Sequence, residues 1–105
     1  AVRLGLPLVV IVYNDAAYGA EVHHFGAGPD DDAAAADMET VTFPDTDIAA
    51  IARGYGADGI TVRTRADLAA VTRWLEGART APLVIDAKIA SDGGAWWLAE
   101  AFKGH

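Results

Sequence analysis

The longest uninterrupted apolar run covers residues 6–13 (LPLVVIVY) and ends abruptly on Asn14 and Asp15. A run without alternation predicts a strand buried on both faces, the pattern of an interior strand in a parallel sheet. The following DAAYGAEVHHF predicts a short helix that stops at the glycines near Gly26 and Gly28. Residues 26–44 then hold glycine, Pro29, the run Asp30, Asp31, Asp32 and four alanines, a long excursion with at most one weak helical turn. Loops of that length in compact domains tend to be functional lids or mobile segments. Periodicity returns after Thr46: Ile48, Ile51, Ala52 and Tyr55 lie at i, i+3, i+4 and i+7 on one helical face, and Gly56 suits a left-handed C-terminal cap. GITVR reads as a short strand. Thr64 and Asp67 form a T-x-x-D start signal for a helix whose apolar face would carry Leu68, Val71, Thr72 and Leu75, with Gly77 at its end. PLVIDAKI is another largely apolar strand, and residues 96–102 suit an amphipathic helix or tail.

Strands and helices therefore alternate as β-α-loop-α-β-α-β-α, which argues for an α/β fold: a parallel sheet with helices on both faces. No repeat or internal domain boundary is visible. AVRLGLP reads as the last turn of a helix closed by Gly5, so the chain starts inside an element. An interior strand so early in the order also needs neighbours that this chain scarcely supplies. The expectation is a C-terminal portion of something larger.

Composition narrows the function classes. A net charge of −7 argues against nucleic acid or an anionic membrane surface as partner, since both select basic patches. The absence of cysteine removes disulfides, thiolate metal sites and cysteine nucleophiles. No apolar run is long enough to span a bilayer, and no signal peptide is visible, so a cytoplasmic protein is expected.

The chemistry concentrates at the end of the first strand. Ligands of open parallel sheets bind beyond the carboxyl ends of the strands, where Asn14 and Asp15 stand before a helix N-terminus. A carboxylate with main-chain carbonyls suits a hard cation such as Mg²⁺, and amides at a helix N-terminus suit a phosphate. Together they describe a metal–phosphate site. The alternative is that Asn14 and Asp15 cap the helix, the far commoner use of such residues. Spacing alone favours the cap.

PLVVIVYNDAAYGAE resembles the second half of the cofactor motif in thiamine diphosphate-dependent enzymes. In that motif a GDG triplet is followed further along by a strand ending in Asn-Asn, a small pair and often Tyr-Gly. DIAAIARGYGADGITVRTRADL is similar to the family's helix–glycine–strand segment and APLVIDAKI to its last strand. The likeness covers nearly the whole chain and is closest to the acetolactate synthase and benzoylformate decarboxylase branch. It implies that Asp15 is the side-chain Mg²⁺ ligand, the Ala17 carbonyl a main-chain ligand, and the Tyr18 and Gly19 amides neighbours of the cofactor's diphosphate, with Asn14 bracing the turn. Asp15 departs from the family's usual second Asn, but a carboxylate is a competent Mg²⁺ ligand.

The resemblance also implies absences. The GDG triplet would precede residue 1, and the family's cofactor-activating glutamate lies on a separate N-terminal domain, contributed across a dimer interface. Residues 1–105 would then be an incomplete thiamine diphosphate-binding fold, the C-terminal half of that domain, inactive alone and partnered by the missing N-terminal domains in a homo-oligomer. The implied parent acts on a 2-oxo acid, either as an acetolactate synthase-like carboligase or as a decarboxylase. The competing reading is a non-catalytic, flavodoxin-like binding or assembly module.

Other polar residues carry less. His23 and His24 are adjacent and diverge by about 100° on a helix, so they do not jointly ligate one metal and are expected at the surface or the crevice edge. Glu21 falls where relatives place a pocket-facing side chain, and a solvated position is equally compatible. Residues 30–32 are expected to be a solvated charge run. Of Trp96 and Trp97, at least one is expected to pack and not to serve as a flap.

Overall fold

The computed structural model describes residues 1–26, 38–90 and 96–101. The elements in chain order are β1 (Val9–Asn14), α1 (Gly19–Gly26), α2 (Ile48–Gly54), β2 (Asp58–Val62), α3 (Leu68–Glu76), β3 (Leu83–Lys88) and α4 (Trp96–Ala101). They fall into two compact units, Ala1–Asn14 with Asp47–Ile89, and Asp15–Thr46 with Ala90–His105.

The first unit holds a three-stranded parallel sheet in the order β1-β3-β2, with Ile11, Ile85 and Ile60 in one cross-strand row. Its helices take opposite faces, as right-handed crossovers running first outward and then back require. Gly59 faces α2, because a Cβ there would strike the Ala49 carbonyl, whereas its neighbour Asp58 accepts a hydrogen bond from Trp74 Nε1 of α3 at 2.7 Å. The expected α/β architecture is present.

Local signals explain the helix ends. Asp47 accepts from the Ala50 amide at 2.8 Å and so caps α2. At the other end Gly56, at φ +89°, donates to Arg53 O while Ala57 donates to Ala52 O, the paired bonds of a Schellman closure. Gly5, at φ +60°, repeats the pattern: its amide reaches Val2 O and that of Leu6 reaches Ala1 O. Residues 1–6 thus have the bonds of a helix's final turn. Before α3, the Asp67 carboxylate accepts from the Arg63 and Thr64 amides at 2.9 and 2.8 Å and from Thr64 Oγ1 at 3.0 Å. These bonds hold its pKa below the usual carboxylate value.

Two expectations need correction. Within residues 1–105 the apolar run at residues 6–13 lies at one side of the sheet and not at its centre. β3 takes the centre, with Leu83, Ile85 and Asp86 buried, and β1 is an edge strand on which Val10 is 40% and Ile11 52% exposed. An apolar run encodes two faces to be covered but not the number of strands beside it, and within this unit β1 packs only on β3. On the α2 side its face opens into an apolar groove of about 470 Å³ lined by Leu8, Val10, Ile51, Tyr55 and Val84.

The packed face of α3 is also rotated. Ala70, Val71 and Trp74 are half-buried, while Leu68 and Leu75 remain exposed. The hydrogen bond from Trp74 to Asp58 turns the largest side chain of the helix onto β2, and the leucines follow it outward. Gly77 does end the helix, in an extended conformation.

In the second unit, α1 and α4 touch, and residues 38–40 form a short turn that leads to Val41. Most of the expected lid, residues 27–37, lies outside the described residues.

Candidate functional site

In the second unit, residues 15–19 make a tight polar turn into α1. Ala16 adopts φ +57°, the left-handed region, and reverses the chain directly after Asp15. Ala17 then pairs antiparallel with Thr42, flanked by bonds from Phe43 N to Ala16 O (2.7 Å) and from Tyr18 N to Val41 O (2.8 Å). With the flanking residues bonded, Ala17 occupies the non-hydrogen-bonded kind of pair, so its own amide and carbonyl point away from the 41–43 segment. The amide finds Asp15 Oδ1 at 3.2 Å on that outward side. The Asp15 carboxylate and the Ala17 carbonyl therefore project to the same side of the turn.

Gly19 completes the cradle. A Cβ at this position would come within 2.8 Å of Asp15 Oδ2, so glycine leaves the room that the carboxylate occupies against the first turn of α1. Tyr18 supplies the first helical acceptor, taking the Val22 amide at 3.0 Å, and its ring meets Phe43 edge-on at 4.8 Å. Asp15 bonds within the turn at Ala17 and thus stabilises the turn before the helix; the observed bond is not a cap on α1 amides. The Tyr18 amide, expected to neighbour a diphosphate, is instead committed to Val41 O at 2.8 Å.

The donors in this turn, one carboxylate and one main-chain carbonyl, are hard oxygens of the kind Mg²⁺ selects. Among the described residues no three His, Asp or Glu side chains gather as a metal site, so a cation held here would draw on main-chain oxygen and on ligands from elsewhere. The turn fits a metal–diphosphate group: it has the hard donors, and the small residue leaves them space.

In the first unit, the end of β1 has its own polar network. Asn14 Nδ2 donates to Asp86 Oδ1 at 2.9 Å, the Ile48 amide donates to Asp86 Oδ2 at 3.1 Å, and Lys88 Nζ stands 3.1 Å from the same oxygen. Asp86 is fully buried. Burial by itself raises its pKa, but the hydrogen bonds from Asn14, Lys88 and Ile48, with the Lys88 charge, outweigh that and hold it below the usual carboxylate value. Sequence reasoning missed Asp86 and Lys88, although a carboxylate inside the apolar run PLVIDAKI was a signal, since a buried charge requires partners.

The remaining candidates do not join the turn. Glu21 is exposed on α1, and Trp97 is 56% exposed on α4. The side chains of His23, His24 and Trp96, and residues 30–32, lie outside the described residues. Among the described residues no helix is long and apolar enough to cross a membrane.

A family model described as "Thiamine pyrophosphate enzyme, C-terminal TPP binding domain" matches residues 1–87. No curated protein and no solved structure matches the chain.

Proposed function

The chain belongs to the family of C-terminal TPP-binding domains of thiamine pyrophosphate enzymes, and we propose that its residues 15–19 hold the Mg²⁺–diphosphate end of thiamine diphosphate in an enzyme acting on 2-oxo acids. The Asp15 carboxylate and the Ala17 carbonyl are the metal ligands, and the Gly19 amide faces a diphosphate oxygen. Tyr18, its amide tied to Val41, fixes the shape of the turn, and Asn14 braces its start. The observation that carries this reading is the Asp15 carboxylate held at the Ala17 amide on the side away from the 41–43 segment, beside a glycine whose missing Cβ leaves the carboxylate room.

Thiamine diphosphate, when bound, supplies the carbanion chemistry that decarboxylation of a 2-oxo acid requires. What this chain contributes is placement: hard oxygens for the cation, an amide for the anion, and a sheet edge that fixes where the turn begins. The cofactor's remaining contacts, including a second acidic metal ligand and the cofactor-activating carboxylate, come from residues outside this chain in a homo-oligomer. We assign the parent to the acetolactate synthase-like carboligases, with a decarboxylase of the same family as the alternative, and place it in the cytoplasm.

The test is the Mg²⁺ dependence of turnover in the full-length protein. Asp15→Ala should abolish cofactor-dependent activity, with partial recovery in excess Mg²⁺, whereas Asp15→Asn should retain much of it, because an amide oxygen replaces one carboxylate ligand. If Asp15→Ala keeps the wild-type metal response and loses only stability, Asp15 shapes the turn and holds no metal.

A further inference from the structure

Asp86 is a costly residue to place where it is. It lies fully buried on the central strand, cross-strand from Val12 and Thr61, and an apolar side chain would fill the position without needing partners. Replacing buried ion pairs with apolar residues is often neutral or stabilising, so the Asp86–Lys88 pair is not explained by stability alone. What an apolar residue cannot do is reach three polar groups at one end of the sheet. One carboxylate oxygen takes Asn14 Nδ2, and the other takes the Ile48 amide at the start of α2 and the Lys88 ammonium. The Asn14 carbonyl is held as well, by the Ile89 amide at 3.0 Å. Asn14 is thus clamped by both its side chain and its main chain, and the next residue in sequence is Asp15.

We propose that Asp86 is a positioning residue: by fixing Asn14 it fixes the point from which residues 15–19 depart, and so the readiness of that turn to receive a metal-bound diphosphate. The metal and diphosphate rest on the function proposed above, but the hold on the turn does not. Asp86 itself touches neither ligand. It acts through Asn14, which makes the two side chains one device, and the effects of removing them should not add.

The experiment uses the full-length protein as wild type, Asp86→Asn, Asn14→Ala and the double variant, with two readouts. The first needs no metal: amide exchange at Ala17 and Ile89, with the amides of α3 as the internal reference. Each single variant should speed exchange at Ala17 and Ile89 about tenfold and leave α3 unchanged, and the double variant should go no further than either single one. Additive effects, or an equal rise throughout α3, would mean that Asp86 merely stabilises the sheet, and would overturn the proposal. The second readout is line broadening of residues 15–19 by Mn²⁺ in the presence of thiamine diphosphate, whose midpoint should rise about tenfold in each single variant and no further in the double. A wild type that shows no broadening at residues 15–19 removes the metal reading, while the exchange data still decide the role of Asp86. If Asp86→Asn fails to fold, Asn14→Ala carries the decision: unchanged Ala17 exchange in that variant overturns the proposal.

Discussion

Substituting Gly59 by alanine isolates the closest helix–strand approach in the first unit. A Cβ added there would run into the Ala49 carbonyl oxygen and stand 2.9 Å from its carbonyl carbon, both backbone atoms that cannot rotate away. Helix α2 would have to retreat from β2, and it carries Ala49 and Ala52, two of the few buried apolar side chains of the unit. Overpacking of this kind costs about 1–3 kcal/mol, and backbone against backbone belongs at the upper end. For a chain of this size each kcal/mol lowers the melting temperature by about 4–8 °C, so a cost of about 3 kcal/mol should melt Gly59→Ala roughly 12–24 °C below wild type. Gly54 is the control. Nothing lies within 4 Å of its added Cβ, so alanine in the last turn of α2 should stabilise by about 0.5–1 kcal/mol. The assay is thermal and urea unfolding of both variants, with equal urea m-values required before the midpoints are compared. A Gly59→Ala variant melting within about 2 °C of wild type would refute the close approach on which the α2–β2 packing is argued.

Trp74→Phe keeps the ring on β2 but removes the hydrogen bond to Asp58, and should cost about 1 kcal/mol, whereas Leu75→Ala on the exposed side of α3 should cost less than about 0.5 kcal/mol, both read from urea midpoints. Stability should also depend on acid. Asp67 and Asp86 both have folded pKa values depressed from an ordinary 3.8, so their contributions are complete above that value and are lost as pH falls below it. Urea midpoints should therefore be flat from neutrality to about pH 5 and fall below about pH 4, and Asp67→Ala should remove part of that fall; a profile of unchanged shape in the variant would show that the Asp67 bonds contribute nothing.

The residues differ in how far they announce themselves. Helix α2 was readable in its extent, which Gly56 closes, but not in its packed face: Ala49 and Ala52 are buried, while Ile51 and Tyr55 of the expected face are exposed. The strand at residues 6–13 was legible as a strand but not in its place, because lateral order depends on partners distant in sequence, and the centre went to PLVIDAKI. Trp74 shows a second limit: helical periodicity weighs Leu68 and Leu75 as equals, and a single indole hydrogen bond to a neighbouring strand decided which side packs. At the site, Asn14 and Asp15 stood out as the polar end of an apolar run, whereas the roles of Ala17, Tyr18 and Gly19 came only as what the resemblance implied. Val41 and Phe43, which orient the turn, join it through an isolated pairing across the intervening segment that no local pattern announces. Asp86 was hidden by its apolar surroundings, where its charge was the only hint.

The central claim is that residues 15–19 receive the metal-bound diphosphate of thiamine diphosphate. Its most direct measurement is a titration of the isotope-labelled full-length protein with thiamine diphosphate in the presence and absence of Mg²⁺, followed at the backbone amides of residues 1–105. The account predicts shifts centred on Ala17 and Gly19 that require Mg²⁺, are lost in Asp15→Ala and survive in Asp15→Asn. Shifts that ignore Mg²⁺, or that fall elsewhere and persist in Asp15→Ala, would contradict it.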